Sequence, residues 1–530
     1  MAKLLFNLTG EGGLAPNFYG GKSADLAVQR RYEGGEDQYA DGTINPFLMP
    51  GYLSGGYSSV ELTNITFSSG TLSGYIIATA ISSDNSIFMI TGDPDTSGSV
   101  FRLDGPTDTS ATERDAFTGT GTDIAIYSIN GIEYLFEAYK DATASDIDVI
   151  RISTNVLTNA WLSGTPIGAF VLGNNNHRMI VADNGLMYIL DGNAVHKIDG
   201  TTAGGANGTA TANVLLFPAT FQLIDVVDTR GNLWIALMQD TRDINTIPTF
   251  SFEKVCGVYV WDRQSTRVSM RDFIPIEGVT EIRYMFLLDG IPGCFTRSTD
   301  GYTQLRLFNG SQFEVVETLG QNDFPRYHGS VGRIPGGIVW MARRAFLFFY
   351  GKIKPSDNKR VLIRMADYID DTSGTIEQGG ALTVIDDAGT YLVFFGYRDN
   401  GDIFRIRRQT INSRTIRPSG NIFYTLNKPL PKLSTTRGIT LYHLPITNTG
   451  TGTDTALTVR VYINQLATAE ATFTITQDSG AKTFQWLPFA RRNVNWMQLG
   501  ISWNTANAIN LGLHPSHAIL EYFPPDHKKI

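Results

Sequence analysis

Short apolar runs recur along this chain between about residues 60 and 420, and turn dipeptides separate them. Most of these dipeptides are Asn-Gly or Asp-Gly, which tolerate the positive φ that a type I′ hairpin turn needs at both central residues. The pattern therefore predicts a long series of antiparallel hairpins. The dipeptides are Asn130-Gly131, Asn184-Gly185, Asp191-Gly192, Asp199-Gly200, Asp289-Gly290, Asp300-Gly301, Asn309-Gly310 and Asn400-Gly401.

The hairpins repeat with a loose period of ~40–60 residues, which is typical of the blades of a β-propeller. We expect seven blades, or six if the first or last unit is irregular. Trp261-Asp262 is the single Trp-Asp dipeptide of the sequence and does not recur from unit to unit, and no unit carries a kelch signature, so the repeat is structural rather than a family sequence repeat. The predicted units lie near residues 60–104, 120–155, 165–200, 220–275, 280–318, 330–368 and 378–410.

The first 56 residues have a different pattern. They are rich in Gly and aromatic residues without periodicity, and Pro16, Pro46 and Pro50 interrupt any regular element. Exposed aromatic side chains on such a segment are stabilised only when something else buries them. We therefore expect residues 1–56 to form an extended arm that packs against the rest of the chain or against another subunit.

Clean alternation of apolar and polar positions returns near the C-terminus, after a polar link near residues 411–440. The alternation predicts half-buried antiparallel strands, and the length suits a β-sandwich. The expected organisation is an arm at 1–56, a propeller at 57–415 and a β-sandwich at 416–530. The predicted terminal strands are 457–463, 471–476, 482–487, 496–503 and 518–523.

Composition supports an all-β fold class. The chain has 54 Gly, 30 Phe and 22 Tyr, while only 18% of its residues are charged. This balance is typical of many turns and aromatic strands with few solvated helices.

No stretch approaches the ~18 consecutive apolar residues of a membrane span, so we expect no membrane insertion. The first eight residues lack the features of a signal peptide, which predicts synthesis and folding in a cytoplasm.

Charge and cysteine content narrow the function classes. The net charge of −8 argues against a protein that grips nucleic-acid phosphates. Residues 421–530 hold nine Lys/Arg and five Asp/Glu, a net charge of +4, which leaves −12 on residues 1–420. The two parts could dock on each other or on neighbouring copies, although the net charge of small domains also varies without any such meaning.

Cys256 and Cys294 are expected to be core thiols rather than a disulfide or a metal pair.

One acidic stretch resembles a calcium loop. Asp93, Asp95, Ser97 and Asp104 place side-chain oxygens at the first, third, fifth and twelfth positions, with Gly98 sixth. The fifth position is Ser, the twelfth is Asp rather than Glu, and no helices flank the stretch. A turn between two strands explains these residues more simply, so we expect no metal and no cofactor.

Catalytic motifs are fragmentary. Asp300 lies in a Ser-Thr-Asp-Gly fragment of a sialidase Asp-box without its spacing or Trp, and Arg333 lies in a Gly-Arg-Ile-Pro sequence similar to the sialidase Arg motif. A sialidase also needs a Tyr nucleophile, a supporting Glu and two more arginines. The seven histidines are scattered, and no Gly-rich phosphate loop or Gly-x-Ser-x-Gly elbow occurs. These absences predict a protein without enzymatic activity.

The opening of the chain resembles that of tailed-bacteriophage virion proteins, in particular the nozzle proteins of short-tailed phages. The resemblance covers the first ~55 residues, with a Gly-rich arm and a Pro-rich entry into the propeller, and the gross architecture of arm, propeller and terminal β-domain. It implies a structural virion component that sits in a tail as a ring of identical copies. The matching segments are Gly12–Pro16, Arg31–Gly42 and Asn45–Tyr52.

From this resemblance we expect a ring-forming tail protein, made in the host cytoplasm, that helps form the conduit for genome ejection. Its partners would be other copies of itself and neighbouring tail or neck proteins, with DNA passing through without specific binding. The alternative is a propeller that binds or hydrolyses host-surface glycans. Buried aromatics and arginines anchor most interfaces, so the expected contact residues of the arm are Arg30, Arg31, Tyr32, Tyr39, Phe47 and Tyr52.

Overall fold

A computed structural model of the 530-residue chain gives an all-β fold built on a β-propeller. The chain divides into two compact units, one of residues 61–345 and 372–408 and the other of residues 1–60, 346–371 and 409–530. The structure describes residues 1–9, 39–41, 60–62, 64–66, 74–92, 97–108, 110–141, 148–152, 177–200, 209–239, 255–343, 346–354, 356–357, 359–367, 378–387, 390–398, 404–410, 422–444, 455–464, 466, 468–476, 483–503 and 515–525.

Six sheets follow one another along the propeller, and the largest has seven strands. In spatial order it runs through β10 (Asp148–Ile152), β9 (Ile132–Asp141), β8 (Ser110–Ile129), β7 (Ser97–Leu103), β6 (Ile87–Gly92) and β5 (Tyr75–Ile81), with β4 (Asn64–Thr66) beside β8.

Four of the other sheets are antiparallel meanders of consecutive strands. They are β11 (Arg178–Val181), β12 (Met187–Asp191), β13 (Ala194–Asp199) and β14 (Thr209–Leu216); β15 (Phe221–Thr229), β16 (Asn232–Gln239), β17 (Cys256–Trp261) and β18 (Phe273–Pro275); β19 (Val279–Leu288), β20 (Ile291–Ser298), β21 (Thr303–Phe308) and β22 (Phe313–Leu319); and β23 (Val331–Ile334), β24 (Gly337–Met341), β25 (Phe346–Gly351) and β26 (Val361–Asp367).

The last sheet closes the propeller with a strand from the start of the chain. It consists of β27 (Gln378–Asp387), β28 (Thr390–Arg398), β29 (Phe404–Thr410) and β3 (Val60–Glu61). The next residue, Leu62, donates its amide to the carbonyl of Ile406 at 3.0 Å and is buried against Phe394. A strand from the first part of the chain therefore completes the last sheet of the propeller, and this pairing closes the propeller.

The 20-residue strand β8 decides between the six and the seven blades that the sequence predicts. Two predicted units, near 60–104 and 120–155, share β8 and so belong to one sheet. This sheet folds back on itself, because Phe88 and Ile90 of its first half pack against Ile124 and Leu135 of its second half. The propeller therefore has six sheets, the lower of the two expected counts, because its first two predicted units form one sheet.

Most predicted turns join the strands as expected. Asn130 and Gly131 have φ of 52° and 81° between β8 and β9, and Asp289 and Gly290 have 52° and 74° between β19 and β20. Asp199-Gly200 is an exception. Strand β13 ends at Asp199 and β14 begins only at Thr209, so the two residues do not form a two-residue hairpin turn. Asn400-Gly401 lies outside the described residues.

Residues 1–41 and 422–523 of the other unit contribute nine antiparallel strands joined in one network. The long strand β31 pairs with β35 through its first residues and with β34 and β36 through its later ones. The strands are β1 (Ala2–Asn7), β2 (Tyr39–Asp41), β30 (Ile422–Thr425), β31 (Lys428–His443), β32 (Thr455–Ile463), β33 (Ala471–Thr476), β34 (Phe484–Pro488), β35 (Val494–Trp503) and β36 (Pro515–Phe523).

Two features of this unit differ from the sequence-based expectation. Strand β31 occupies part of the stretch expected to be a polar link, and its ladder is interrupted between Pro429 and Ser434. Proline cannot donate to a ladder but is tolerated at a strand start or at an irregularity, which is where Pro429 and Pro431 lie. In the segment 1–56, β1 pairs with β36 and β2 pairs with β30. Phe6 and Leu8 are fully buried, so this part of the predicted arm belongs to a folded core.

Candidate functional site

Seven elements contact one another in turn around the propeller centre. They are β5, the second half of β8, β11, β15, β19, a 3₁₀ turn at His328–Ser330, and β27. Five of these strands, β5, β8, β15, β19 and β27, have a register shift, which lies near the start of the strand or, in β8, at Gly121/Asp123. A bulge turns one extra side chain out of the ladder. In β8 and β15 the residue after the shift is an aspartate, Asp123 and Asp225.

Asp123 is fully buried and makes four polar contacts. One oxygen, Oδ1, lies 2.9 Å from His328 Nε2 and accepts the Ile124 amide at 2.8 Å. The other, Oδ2, accepts Arg178 Nη1 at 3.1 Å and the Met179 amide at 2.5 Å. Burial alone would raise the pKa of Asp123, but the charges of His328 and Arg178 together with these hydrogen bonds lower that pKa to about 2.

Asp225 repeats this arrangement on β15. Its Oδ1 accepts Arg178 Nε at 2.8 Å, and its Oδ2 accepts the Met285 amide of β19 at 2.8 Å. Arg178 thus bridges two carboxylates, and although burial opposes its charge, Asp123 and Asp225 raise the pKa of the guanidinium above its usual value. Each aspartate ties its own strand to the first strand of the next sheet. We call Asp123, Arg178, Asp225 and His328 the central network.

Two cavities lie beside the central network, and His328 lines both. The larger has a volume of about 510 Å³, and its polar side chains are those of Thr120, Thr122, His177, Gln222, Glu281, Arg283, Tyr284, Tyr327 and His328. The smaller has a volume of about 290 Å³, and its polar side chains are those of Thr79, Asp123, Arg178, His328, Arg333 and Thr383.

The charged and phenolic groups of the larger cavity are held by neighbours. Arg283 Nη2 lies 2.9 Å from Glu281 Oε2, and the guanidinium stacks 3.9 Å from the ring centroid of Phe324. Tyr284 donates its hydroxyl to the carbonyl of Arg326 at 2.6 Å, and burial raises the pKa of this tyrosine. Of the residues described as lining the two cavities, only Asp123 and Glu281 carry carboxylates, and both are ion-paired.

Two buried histidines share a third aspartate near the larger cavity. His177 Nε2 lies 3.6 Å from Asp191 Oδ1, and His196 Nε2 lies 3.5 Å from Asp191 Oδ2. The Asn213 amide donates to His196 Nδ1 at 3.2 Å, which leaves Nε2 of the neutral ring as the protonated nitrogen facing Asp191. Thr122 Oγ1 lies 3.2 Å from His177 Nδ1 and joins this cluster to β8.

The sequence-predicted catalytic fragments do not come together. Arg333 lies on β23 and lines the smaller cavity, whereas Asp300 lies in the exposed turn between β20 and β21 and lines neither cavity. The hydrolytic constellation that the two fragments suggest is therefore not assembled by these two residues.

The calcium-loop residues are only partly described. Asp93 and Asp95 lie outside the described residues, and Ser97 is the first residue of β7. Asp104 pairs with Arg102 Nε at 2.9 Å and with Arg114 Nη2 at 3.5 Å. Within the described ranges, no group of three or more His, Cys, Asp or Glu is arranged to hold a metal ion.

Of the six predicted arm contacts, only Tyr39 falls in the described part of the chain, where its backbone pairs with Thr425. Arg30, Arg31, Tyr32, Phe47 and Tyr52 lie outside it. Both cysteines are buried and unbridged, and burial raises the pKa of the Cys294 thiol to about 12. No helix in the described ranges is long and apolar enough to span a membrane.

Comparisons with known proteins bear on the fold only. No family model and no curated protein sequence matches the chain. An exo-β-1,3-galactanase of Phanerochaete chrysosporium aligns over 88% of this chain and 100% of its own, at 8% identity and a TM-score of 0.30. A glycoside hydrolase family 43 arabinoxylan arabinofuranohydrolase of Bacillus subtilis covers 85% and 96%, at 9% identity and 0.28. Raptor of Chaetomium thermophilum covers 67% and 29%, at 8% identity and 0.40. Likeness at this level assigns no activity.

Proposed function

We propose that this protein is a non-enzymatic structural component of a bacteriophage virion, a ring-forming tail protein of nozzle or hub type. The central network carries the non-enzymatic part of the proposal. A carboxyl group that serves as a general acid or base must exchange a proton near the working pH. Asp123, with a pKa of about 2, stays ionised there, and its oxygens are already bonded to Arg178, His328 and two backbone amides.

The virion part of the proposal is supported by the resemblance of the first ~55 residues to phage nozzle proteins. The protein would be made in the host cytoplasm and become part of the virion. Its partners would be further copies of itself and neighbouring tail or neck proteins. The unit with the nine-stranded network, which we call the terminal unit, would then be a β-sandwich in which strand β31 connects the two sheets. The protein would not insert into a membrane.

Passage of DNA through the ring is also part of the proposal. Duplex DNA carries one negative charge per ~1.7 Å of axis, so a basic wall would hold it and an acidic or neutral wall lets it slide. The net charge of −12 on residues 1–420 is compatible with such a wall, although an acidic chain is also ordinary for solubility alone. A map of the assembled ring with Arg and Lys at the narrowest constriction would contradict the passage argument.

Two measurements on the full-length protein test the structural role. Native mass measurement and negative-stain imaging should find a closed ring of identical copies. Assays on sialosides and on bacterial surface polysaccharides should find no turnover. Turnover that is lost on changing Arg333 or Asp300 would overturn the non-enzymatic proposal.

A second candidate is a glycan-binding propeller or glycosidase, and the larger cavity favours it. Its volume of about 510 Å³ would admit a small saccharide, and Gln222, Glu281, Arg283 and Tyr284 offer polar contacts. The discriminating variant is Glu281→Gln, with Glu314→Gln on the exposed part of β22 as the matched control. Calorimetric binding of an oligosaccharide that Glu281→Gln abolishes and Glu314→Gln preserves would favour the glycan function.

A further inference from the structure

The outward face of the sheet formed by β1, β36, β31 and β34 has an unusual composition. The register of the four strands places twelve residues on this face, in three rows of four. We call these residues the aromatic face: Lys3, Glu521, Gly438 and Pro488; Leu5, Ile519, Thr440 and Trp486; and Asn7, His517, Tyr442 and Phe484.

The opposite face of the same sheet is core. Six of its side chains are buried, namely those of Phe6, Ala518, Leu520, Ile439, Leu441 and Leu487, and those of Leu4 and Gln485 are partly buried. In contrast, Leu5 is 52% exposed, Trp486 42% and Phe484 53%. Among the large hydrophobic side chains exposed in the described ranges, the three aromatic ones all belong to this sheet, namely Phe484, Trp486 and Phe523. A contiguous exposed apolar surface of this kind marks an interaction site.

The aromatic rings are held in place on the sheet. Gly438 leaves room for the indole of Trp486, because a Cβ at position 438 would lie 2.2 Å from Trp486 Cζ2. The Arg437 guanidinium lies 5.8 Å from the Trp486 ring centroid. Tyr442 stacks on His517 with centroids 4.3 Å apart and planes 11° apart, and Phe484 lies 6.1 Å from Tyr442. Rings fixed in this way lose little entropy when a partner covers them.

The charges around the aromatic face are predominantly positive. Arg437 Nη1 lies 3.3 Å from Glu521 Oε2, and Lys3 Nζ lies 3.9 Å from Glu521 Oε1. Two cations therefore share one carboxylate, and their side chains are 58% and 62% exposed. The complementary surface on the chain itself is the acidic part, since residues 1–420 carry −12 while residues 421–530 carry +4.

The free edge of this sheet is a less suitable docking site than its face. Lys428 Nζ donates to the carbonyl of Leu5 at 2.9 Å, and its ammonium group lies 5.8 Å from the centroid of the Phe6 ring. The ammonium group of Lys428, which belongs to β31, therefore occupies a carbonyl of the edge strand β1, and a charge placed at an edge discourages the addition of a further strand. A partner is therefore expected to cover the side chains of the aromatic face rather than to extend β1.

We propose that the aromatic face is a docking surface for a second copy of this chain, which packs its acidic propeller against it. Such a contact joins two different surfaces, and heterologous contacts of this type close into rings when the rotation between copies permits. The inference rests on the proposed ring assembly and specifies the surface that forms it. Trp486, Tyr442 and Phe484 are the central anchors, because buried Trp and Tyr dominate most interfaces.

The test compares the mass of three full-length proteins over a range of concentrations by light scattering and sedimentation. The face variant carries Phe484→Ala and Trp486→Ala. The control variant carries Leu433→Ala and Leu466→Ala, which remove hydrophobic side chains of similar exposure, 58% and 47%, away from the aromatic face and outside the propeller. Wild type and control should form the same oligomer, and the face variant should dissociate with a dissociation constant at least ~30-fold higher. Circular dichroism and the thermal midpoint check that each variant is folded.

The outcomes separate this inference from the proposed function. A folded face variant that assembles like wild type overturns the docking surface and leaves the ring proposal standing. A wild-type protein that stays monomeric at every concentration overturns the ring proposal and, with it, this inference. Quenching of Trp486 fluorescence by a neutral oligosaccharide, with assembly unchanged in the face variant, would assign the surface to glycans instead.

A charge variant tests the acidic partner surface. Arg437→Glu should weaken assembly at low salt, and added salt should weaken wild-type assembly, because complementary charges at an interface are screened. Weaker salt dependence in Arg437→Glu than in wild type would support the acidic propeller as the partner. Equal salt dependence in the two proteins would show that the acidic surface is not the partner.

Discussion

Asp123 should be a major determinant of propeller stability, and Asp123→Asn is the sharpest perturbation of it. The asparagine keeps the shape and one acceptor oxygen but removes the charge facing Arg178 and His328. The pKa of Asp123 is about 2 in the fold against an ordinary value of 3.8, and each unit corresponds to ~1.4 kcal/mol. Ionisation of this carboxyl therefore stabilises the fold by about 2 kcal/mol, and Asp123→Asn should lose about that amount at neutral pH.

The same shift predicts a pH dependence. Because the folded pKa lies below the unfolded one, the contribution is fully present above pH ~4 and is lost as the pH falls through about 2. Wild type should therefore lose about 2 kcal/mol of unfolding free energy across that window from this group, and Asp123→Asn should lack that component. Asp123→Ala should cost more, about 3–5 kcal/mol, because it leaves the Met179 amide without its acceptor and removes one of the two carboxylates that neutralise Arg178.

Chemical unfolding followed by tryptophan fluorescence measures these differences. The control is Asp300→Asn in an exposed turn, which should stay within about 0.5 kcal/mol of wild type. If Asp123→Asn unfolds at the same denaturant concentration as Asp300→Asn, or loses stability between pH 4 and 2 as steeply as wild type, the assigned role of the central network is wrong.

Three further predictions concern packing and assembly. Gly121→Ala should destabilise the propeller by about 1–3 kcal/mol in thermal unfolding, because the new Cβ would lie 2.3 Å from the carbonyl oxygen of Thr91. Phe6→Ala should cost the terminal unit about 3–5 kcal/mol, whereas Leu5→Ala, at a half-exposed position, should cost less than ~1 kcal/mol. Replacing residues 10–38 by a Gly/Ser linker of equal length keeps β1 and β2 but removes Arg30, Arg31 and Tyr32. The replaced protein should stay folded and no longer assemble, and a native-sized oligomer would contradict the predicted contacts between the arm and a neighbouring copy.

The hairpins of the propeller could be predicted from the sequence because their signals are local. Asn130-Gly131 and Asp289-Gly290 mark turns through backbone preference alone, and the apolar runs around them need no knowledge of distant residues. Strand β31 was missed for the opposite reason. Pro429 and Pro431 suggest a link, and only pairing with β34, β35 and β36 shows why the chain remains extended there.

The central network was also beyond sequence reasoning. Asp123, Arg178 and Asp225 are separated by about fifty residues each, and a bulge that depends on the partner strand directs each aspartate towards the next sheet. One signal was available, namely an aspartate immediately before two apolar residues, which occurs at both Asp123 and Asp225. The Asp191 cluster gave no comparable signal, since the spacing of His177, Asp191 and His196 matches no known motif.

Pairing of β1 with β36 has a consequence for how the chain is made. The partner of the first strand is the last strand, so Phe6 cannot be covered by β36 until residues 515–523 have left the ribosome. Propeller hairpins form locally and can fold during synthesis, whereas the terminal unit must wait until residues 515–523 have emerged. A translation product truncated before these residues would expose the apolar side of β1, which makes such chains recognisable to chaperones and proteases.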